Sequence, residues 1–298
     1  ADHHVAGTKA GDDVVLAAAE NDVVATAAGE GIGTRFATQR VVAERVGHGI
    51  VAVATEQAVP LIFGLALAGI LYGALVAMVQ SDIKKLVAYS SVAHLGFVML
   101  GIFALNEEGL EGAILQMVNH GLSTGALFLL VGMVYERRHT REIAAFGGIA
   151  RPMPVFALLF GIVAMSSIGL PGLNGFVGEF LILAGAFLAS PWVGATASFG
   201  VVLAAAYLLW AYRRVFFGPV EEPENQSLMD LSFREKFVVL AMLVPIVWIG
   251  VAPSPFLRRL DASVGELLHQ MEQKKAAARD AGLHELVAEV TIRGEAPR

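Results

Sequence analysis

From residue 58 onward, long apolar segments alternate with short polar segments along the chain. Each apolar segment is about long enough to cross the hydrocarbon core of a bilayer, which takes about 20 residues of helix. The apolar runs are continuous, whereas an outer-membrane barrel would show residues of alternating hydrophobicity. The pattern therefore predicts an all-α membrane protein with about six transmembrane helices, over about 59–79, 84–105, 110–134, 153–189, 193–216 and 236–253.

The fourth segment is too long for one straight crossing. As a single helix, 153–189 would measure about 55 Å, against a hydrocarbon core of about 30 Å. In its middle, Pro171 removes a backbone donor, and three glycines allow non-helical backbone angles. We predict two half-helices joined by an unwound link at Gly169–Gly175. Transporters place such broken helices at ion pathways, although a kink without a role would give the same pattern.

The two ends of the chain lack this pattern. Residues 1–57 contain no window apolar enough to cross a membrane and show neither a helical nor a strand period, so we predict no regular structure there. Residues 257–298 are polar and rich in Ala, Glu and Lys, which favours a helix over about 260–280. The predicted division is a non-membrane segment 1–57, a transmembrane region 58–256 and a polar tail 257–298.

Composition supports a membrane protein and narrows its chemistry. The chain is 56% hydrophobic and 16% charged, whereas soluble domains carry about 25% charged residues. It contains no cysteine, which excludes Cys-ligated iron–sulfur clusters and disulfides within the sequence. No nucleotide-binding loop and no metal-ligating spacing stands out. We therefore predict no cofactor site, no metal site and no nucleic-acid partner.

Basic residues collect at one end of the predicted spans. The opposite loops, 106–111 and 190–192, contain none. Because loops rich in Lys and Arg stay on the cytoplasmic side, we expect the basic loops there and both chain ends on the outer side. The basic positions are Lys84, Lys85, Arg137, Arg138, Arg141, Arg151, Arg213, Arg214, Arg234 and Lys236.

One carboxylate lies inside the apolar region. Glu179 is the only charged residue between Arg151 and Arg213. A charged side chain at the centre of a membrane costs about 2.5–3.5 kcal/mol on insertion scales and more in simulations. Such a residue is by default a candidate for handling ions or protons, and its position eight residues after Pro171 strengthens that interpretation.

Three further residues are candidates for a proton relay. His94 and His120 are each the sole titratable group in the interior of their span, at similar depth. A lone membrane histidine is often an interhelical hydrogen bonder, but imidazole titrates near neutrality and can pass a proton between its nitrogens. Lys84, at the start of the second span, extends the path if it faces inward and anchors the topology if it snorkels outward. We predict a relay of Glu179, His120, His94 and Lys84.

Three stretches of the sequence resemble a known family. They are SDIKKLVAYSSVAHLGFVMLGIFAL (81–105), GAILQMVNHGLSTGALFLLVGMVYERRHTR (112–141) and GLPGLNGFVGEFLIL (169–183). They are similar to the antiporter-like membrane subunits of the proton-pumping NADH–quinone oxidoreductase, respiratory complex I, and within these to the chain 4 branch, subunit M. The resemblance covers about 58–255.

The resemblance implies a fold and a set of site residues. Family members have fourteen transmembrane helices built on two inverted five-helix repeats, each with a broken helix that forms half of a proton channel. This sequence matches the second repeat and the last helix. Glu179 falls on the key carboxylate of the broken helix, His94 and His120 on the two family histidines, and Lys84 on the lysine of the Asp-Ile-Lys motif. Related chain 2, chain 5 and Mrp antiporter subunits usually have lysine where this chain has Glu179.

The resemblance also implies a function. We expect proton translocation across the membrane, coupled to quinone reduction elsewhere in the complex, by a multi-pass subunit in the inner (plasma) membrane of a bacterium. Its expected partners are the lipid bilayer and other membrane subunits of complex I. NADH, FMN, iron–sulfur clusters and quinone are expected in partner subunits, with no redox centre in this chain. Two alternatives stay open: a subunit of a cation/proton antiporter, and an inactive truncated fragment, since the first repeat is missing and residues 1–57 do not resemble the family.

Overall fold

The computed structural model of the chain describes residues 32–280, with side chains over 54–277. Within this part, the regular secondary structure is helical. The one β-type contact there is an isolated antiparallel bridge between Asp82 and Glu142. The helices are α1 (Ile32–Met78), α2 (Ile83–Phe103), α3 (Glu107–Arg138), α4 (Pro154–Ser167), α5 (Asn174–Ala189), α6 (Pro191–Phe216), α7 (Pro223–Gln226), α8 (Phe233–Val251), α9 (Ser254–Leu257) and α10 (Asp261–Asp280).

All six predicted spans are helical. Four helices are long and apolar enough to cross a membrane: residues Ala54–Met78 of α1, and α2, α3 and α6. The fourth predicted span is divided into the shorter apolar helices α4 and α5. The sixth is α8, whose first turn is charged and whose remainder is apolar. The predicted all-α class with a broken fourth segment is therefore confirmed.

Helix α1 begins before the first predicted span. It runs without interruption from Ile32 to Met78, whereas the sequence predicted no regular structure over 1–57. The stretch 32–57 mixes Ala, Arg, Glu and Gln, which favour helix intrinsically, with Val, Ile, Thr and Gly, which favour it less, so residue preference alone gave no clear prediction there. Residues 1–31 and 281–298 lie outside the described residues, so the prediction of no regular structure before residue 32 and the end of the predicted polar tail stay predictions.

The link between α4 and α5 explains why the fourth segment is broken. Gly169 and Gly172 have φ angles of +74° and +93°, a left-handed conformation that glycine adopts without a steric penalty. The backbone N–H of Leu170 donates to the oxygen of Met165 at 3.1 Å. The chain therefore turns out of one half-helix and enters the next at Asn174, within the predicted Gly169–Gly175 break.

The central helix of residues 58–269 is α3, which packs most extensively against α5 and α2. Glycines allow this close approach, because small residues let helix backbones meet in a membrane. A Cβ atom at Gly112 would lie 2.6 Å from the backbone nitrogen of Ile182, and one at Gly185 would lie 2.5 Å from that of Gly109. Helices α2, α3 and α5 therefore present side chains to a common interior.

Two buried apolar clusters enclose a polar layer. One cluster contains Leu86 and Val87 of α2 and Leu127 and Val134 of α3, together with side chains of α4, α6 and α8. The other contains Phe97 of α2, together with side chains of α1, α3, α5 and α6. Along α2 and α3, the buried polar residues fall between these clusters. They are Ser90, His94, Gln116, Asn119, Ser123 and Thr124.

Two carboxylates hold the basic-loop end of the structure: Asp230, just before α8, and Glu235, in the first turn of α8. Asp230 accepts hydrogen bonds from the backbone N–H groups of Val155 and Phe156, at 2.9 and 3.0 Å, and so caps the start of α4. Arg137, at the end of α3, donates to both carboxylate oxygens of Glu235 at 2.7 and 2.8 Å. This bidentate pair and the Asp230 cap tie together the ends of α3, α4 and α8.

Candidate functional site

Glu179 lies at the centre of the polar layer, in the second turn of α5, and is 4% exposed. Its Oε1 is 3.1 Å from Nδ1 of His94 and accepts a hydrogen bond of 3.2 Å from Nε2 of Gln116. On its other side is the unwound link, where a Cβ atom at Gly169 would lie 2.7 Å from Oε2. The unwound link of the broken helix thus packs directly against the buried carboxylate, because Gly169 has no side chain.

His94 is the ionisable partner of Glu179 in this site. It is 4% exposed on the inner face of α2, and its contact with Glu179 is an ion-pair contact and not an aligned hydrogen bond. A buried carboxylate is stable when it is protonated or paired with a positive charge. Two forms of the pair therefore carry no net charge: a carboxylic acid beside a neutral imidazole, and a carboxylate beside an imidazolium. They differ only in whether the proton is on Glu179 or on His94.

His120 continues the cluster from α3. Its ring centroid is 5.4 Å from that of His94, with the ring planes inclined at 43°. Its Nδ1 lies 3.0 Å from Oγ1 of Thr124, one helical turn further along α3. The structure therefore places three of the four predicted relay residues, Glu179, His94 and His120, in one contiguous group contributed by three helices.

Lys84 lies apart from this group. It is exposed in the first turn of α2, ten residues before His94, or about 15 Å along the helix axis. Asp82 caps α2 by accepting hydrogen bonds from the backbone N–H groups of Lys84 and Lys85. The buried face of the helix carries Val87, Ser90 and His94, whereas Lys84 and Ala88 are exposed. An inward-facing Lys84, which the sequence analysis considered, does not occur in this structure.

The sequence analysis missed the buried amides beside the relay, which are those of Gln116, Asn119 and Asn174. Asn119 donates through Nδ2 to the backbone oxygen of Asn174, at 2.7 Å, and so joins α3 to the first residue of α5. The hydroxyls of Ser123 and Ser166 are 2.8 Å apart, and both donate to Oδ1 of Asn174. The spacing of Gln116, Asn119 and Ser123 on one face of α3 is the signal that could have found half of this network.

A small cavity adjoins both histidines. It has a volume of about 10 Å³, roughly the room that one water molecule needs. Its walls are polar, so a water there would find several hydrogen-bond partners. The lining residues are His94, Gln116, Asn119, His120, Ser123, Thr124, Ser166, Ser167 and Gly175. Between residues 54 and 277 there is no group of three or more His, Asp or Glu side chains that could hold a metal ion.

The site joins a carboxylic acid and two imidazoles, which are groups that can bind and release protons. The chain is a multi-pass membrane protein with a buried acid–imidazole pair beside a broken helix. The family model described as "NADH:quinone oxidoreductase/Mrp antiporter, TM" matches residues 45–204, more than half of the chain. The chain therefore belongs to this family of membrane subunits, which confirms the resemblance found in its sequence.

Individual relatives point to one branch of the family. NADH-quinone oxidoreductase subunit M of Rhodobacter capsulatus is 47% identical over 216 residues, covering 72% of this chain and 42% of that protein. Subunit M of Pseudomonas aeruginosa is 44% identical over 225 residues, covering 76% and 43%. The chain thus spans less than half the length of these curated relatives.

Solved structures show the same fold. A chain of respiratory complex I from Thermus thermophilus with bound NADH superposes with a TM-score of 0.66 at 37% identity, covering 76% of this chain and 45% of that chain. A chain of the Mrp complex from Dietzia sp. DQ12-45-1b also gives a TM-score of 0.66, at 19% identity, covering 74% and 49%. The latter similarity concerns the fold alone.

Proposed function

We propose that this chain is the second-repeat part of the proton-translocating subunit M of an NADH–quinone oxidoreductase. The observation that carries the proposal is the contact between Glu179 and His94 beside the unwound link, in a chain 47% identical to subunit M of Rhodobacter capsulatus. Its work in the complex is proton transfer through the polar layer, driven by quinone reduction in other subunits.

In the proposed cycle, one proton moves between the three central groups. A positive charge brought near Glu179 favours its carboxylate form, and the released proton goes to His94, 3.1 Å away. His94 then gives up a proton from its other ring nitrogen toward His120, whose ring is 5.4 Å away. A water in the small cavity that adjoins both histidines would bridge this step. Each imidazole returns to the neutral form after the proton leaves.

The rest of the complex supplies the redox chemistry. We propose that NADH, FMN, iron–sulfur clusters and quinone are held by partner subunits, and that this chain contacts other membrane subunits of the complex. Its close relatives include subunits from Rhodobacter, Pseudomonas and Rickettsia, which supports the inner membrane of a bacterium as its location. The relay residues are Glu179, His94 and His120, with Lys84 as a basic residue at the entrance of α2.

A cation/proton antiporter subunit is the second candidate function, because the family includes Mrp subunits and the Dietzia Mrp chain shares the fold. Identity favours the first candidate: 47% to subunit M against 19% to the Mrp chain. The two functions differ in the energy source, so proton movement that depends on NADH, and not on a sodium gradient, supports the oxidoreductase.

The test uses the Rhodobacter capsulatus complex with residues 58–256 of this chain in place of the aligned segment of its subunit M. Inverted membrane vesicles receive NADH, and a pH-sensitive dye reports proton uptake. Glu179→Gln removes the charge at constant shape, and we expect proton uptake to fall by about tenfold or more. The control is Glu107→Gln, the same change at an exposed position in the first turn of α3, which leaves uptake unchanged.

Oxidation of NADH by ferricyanide, which bypasses quinone, measures the amount of assembled complex in each sample. If the chimera does not assemble, the same substitutions are made at the aligned positions of the Rhodobacter subunit. A Glu179→Gln variant with an unchanged proton-to-electron ratio contradicts the proposal. The purified chain alone, in liposomes with an internal pH dye, tests the inactive-fragment alternative, since transport there would show that the chain acts without its complex.

A further inference from the structure

Arg213 and Arg214 form a pair of adjacent positive charges in the last turn of α6, and both are exposed. Arg137, at the same end of the structure, is held by both carboxylate oxygens of Glu235. Within residues 54–277, neither Arg213 nor Arg214 makes an ion pair or a side-chain hydrogen bond. The two guanidinium groups are therefore free to bind a ligand of opposite charge.

The two arginines line an open cavity together with aromatic side chains. The cavity has a volume of about 580 Å³, and its lining residues are Trp210, Arg213, Arg214, Phe217 and Gly218. The guanidinium carbon of Arg214 lies 5.6 Å from the centroid of the Trp210 ring, which is within the range of a cation–π contact. The cavity therefore combines positive charge with an apolar wall.

The tryptophans of α6 indicate the depth of this cavity in the membrane. Trp192, in the first turn, is 85% exposed, and Trp210 is 42% exposed. They lie 18 positions apart, or about 27 Å along the helix axis, which is close to the hydrocarbon thickness of about 30 Å. Because tryptophan collects at both membrane interfaces, Trp210 marks the interface at the basic-loop end. Arg213 and Arg214 follow by about one turn and so lie at the depth of the lipid headgroups.

An exposed apolar stripe leads along α6 to the arginines. Phe199, Val202 and Leu209 are exposed, and their spacing of three and seven positions places them on one face of the helix. Arg213 continues this face four positions after Leu209, and Phe217 continues it by four more. The helix thus offers an apolar surface about 21 Å long that ends at the cavity.

We propose that this end of α6 binds an anionic phospholipid, with the phosphate at Arg213 and Arg214 and an acyl chain along the apolar stripe. Guanidinium groups donate paired hydrogen bonds to phosphate oxygens. A zwitterionic lipid carries its own cation to the same place, so the unpaired arginines favour a headgroup with net negative charge. A free phosphate ion would bind the arginines but leave the stripe unused. The proposal concerns a lipid and not a proton, so it goes beyond the proposed function.

The test measures lipid binding next to Trp210 in the full chain. Trp192→Phe/Trp248→Phe leaves Trp210 as the only tryptophan, because the chain contains three. The protein is reconstituted in vesicles of phosphatidylcholine whose acyl chains are brominated near the carbonyl end, which quenches a neighbouring tryptophan. Unbrominated phosphatidylglycerol then replaces this lipid stepwise. We expect recovery of fluorescence to show a preference of about fivefold or more for phosphatidylglycerol, the gain expected of one basic residue near an anionic headgroup.

Two charge variants are compared in this single-tryptophan background. Arg213→Gln/Arg214→Gln removes the proposed phosphate contacts, and we expect the preference to fall to about one. Arg258→Gln/Arg259→Gln is the matched control, since it removes an exposed pair of adjacent arginines outside the cavity, and we expect it to keep the preference. Equal quenching of all variants in pure brominated phosphatidylcholine shows that Trp210 keeps its depth in the membrane.

A further arm distinguishes a lipid from a soluble anion. The titration is repeated with inorganic phosphate in excess over phosphatidylglycerol, and we expect the lipid preference to persist. Loss of the preference under this condition assigns the arginines to a soluble anion and overturns the proposal.

The remaining outcomes also decide the proposal. No preference for phosphatidylglycerol, or the same preference after Arg213→Gln/Arg214→Gln, overturns it. Equal losses in both charge variants assign the effect to the total charge of the protein and overturn it as well. Since none of these measurements involves proton uptake, the proposed function is tested separately by Glu179→Gln.

Discussion

The substitution Gly169→Ala tests whether the unwound link of the broken helix positions the buried carboxylate of Glu179. Its φ of +74° penalises any other residue, by about 1–2 kcal/mol for a left-handed conformation. In addition, the new Cβ atom would lie 2.7 Å from Oε2 of Glu179, closer than atoms in contact allow. The carboxylate must shift, and its contacts with His94 and Gln116 oppose that shift.

Gly172→Ala is the matched perturbation in the same link. Gly172 has a φ of +93°, so alanine there meets a similar backbone penalty, but no atom lies within 4 Å of its added Cβ. We expect both variants to lose about 1–2 kcal/mol of stability, measured as a lower midpoint of thermal inactivation in detergent. Only Gly169→Ala should also slow proton uptake per assembled complex, by about tenfold.

The comparison isolates one contact, because the backbone effect is common to both glycines. Normal proton uptake by a Gly169→Ala complex would refute the reasoning that the link positions Glu179. Equal losses of uptake in both variants would refute it as well, since they would assign the effect to the backbone of the link and not to the acid.

Two further predictions concern the basic-loop end. Asp230→Ala removes the hydrogen bonds to the first backbone N–H groups of α4, and we expect a loss of about 1–2 kcal/mol, measured as a lower thermal-inactivation midpoint; an unchanged midpoint contradicts the capping role. The hydrogen bond from Arg137 lowers the pKa of Glu235, just outside the predicted span, from 4.5 to about 2. Since the folded pKa is depressed, this stabilisation is present above pH 4.5 and is lost as the pH falls toward 2. The stability difference between wild type and Arg137→Gln should therefore shrink over that pH range, and a constant difference contradicts the assignment.

The sequence was sufficient to predict the centre of the site because its signal is local. A carboxylate in a long apolar run, two histidines alone in their spans, and a proline among glycines all stand out without knowledge of neighbours. Glu179, His94 and His120 were found in this way, and the structure brings them together. The break between α4 and α5 was predicted from the backbone preferences of Pro171 and its flanking glycines.

The supporting residues could not be found in the same way, because their roles depend on partners far along the chain. Gln116 bonds Glu179 across 63 positions, and Asn119 bonds Asn174 across 55. Uncharged amides give little signal in an apolar run unless the facing helix is known. For Lys84, the sequence left the direction of the side chain open, and the structure has it exposed in the first turn of α2.

The two apolar clusters on either side of the polar layer have an electrical consequence. Tightly packed hydrocarbon insulates, and a lone proton entering it would lose its hydration at a large energetic penalty. In the proposed function, protons pass among Glu179, His94 and His120 between these two clusters, and the clusters oppose proton entry from either side of the membrane. Transport of the proposed kind then requires the two apolar clusters to open one after the other, because protons would leak back across the membrane if both were open together.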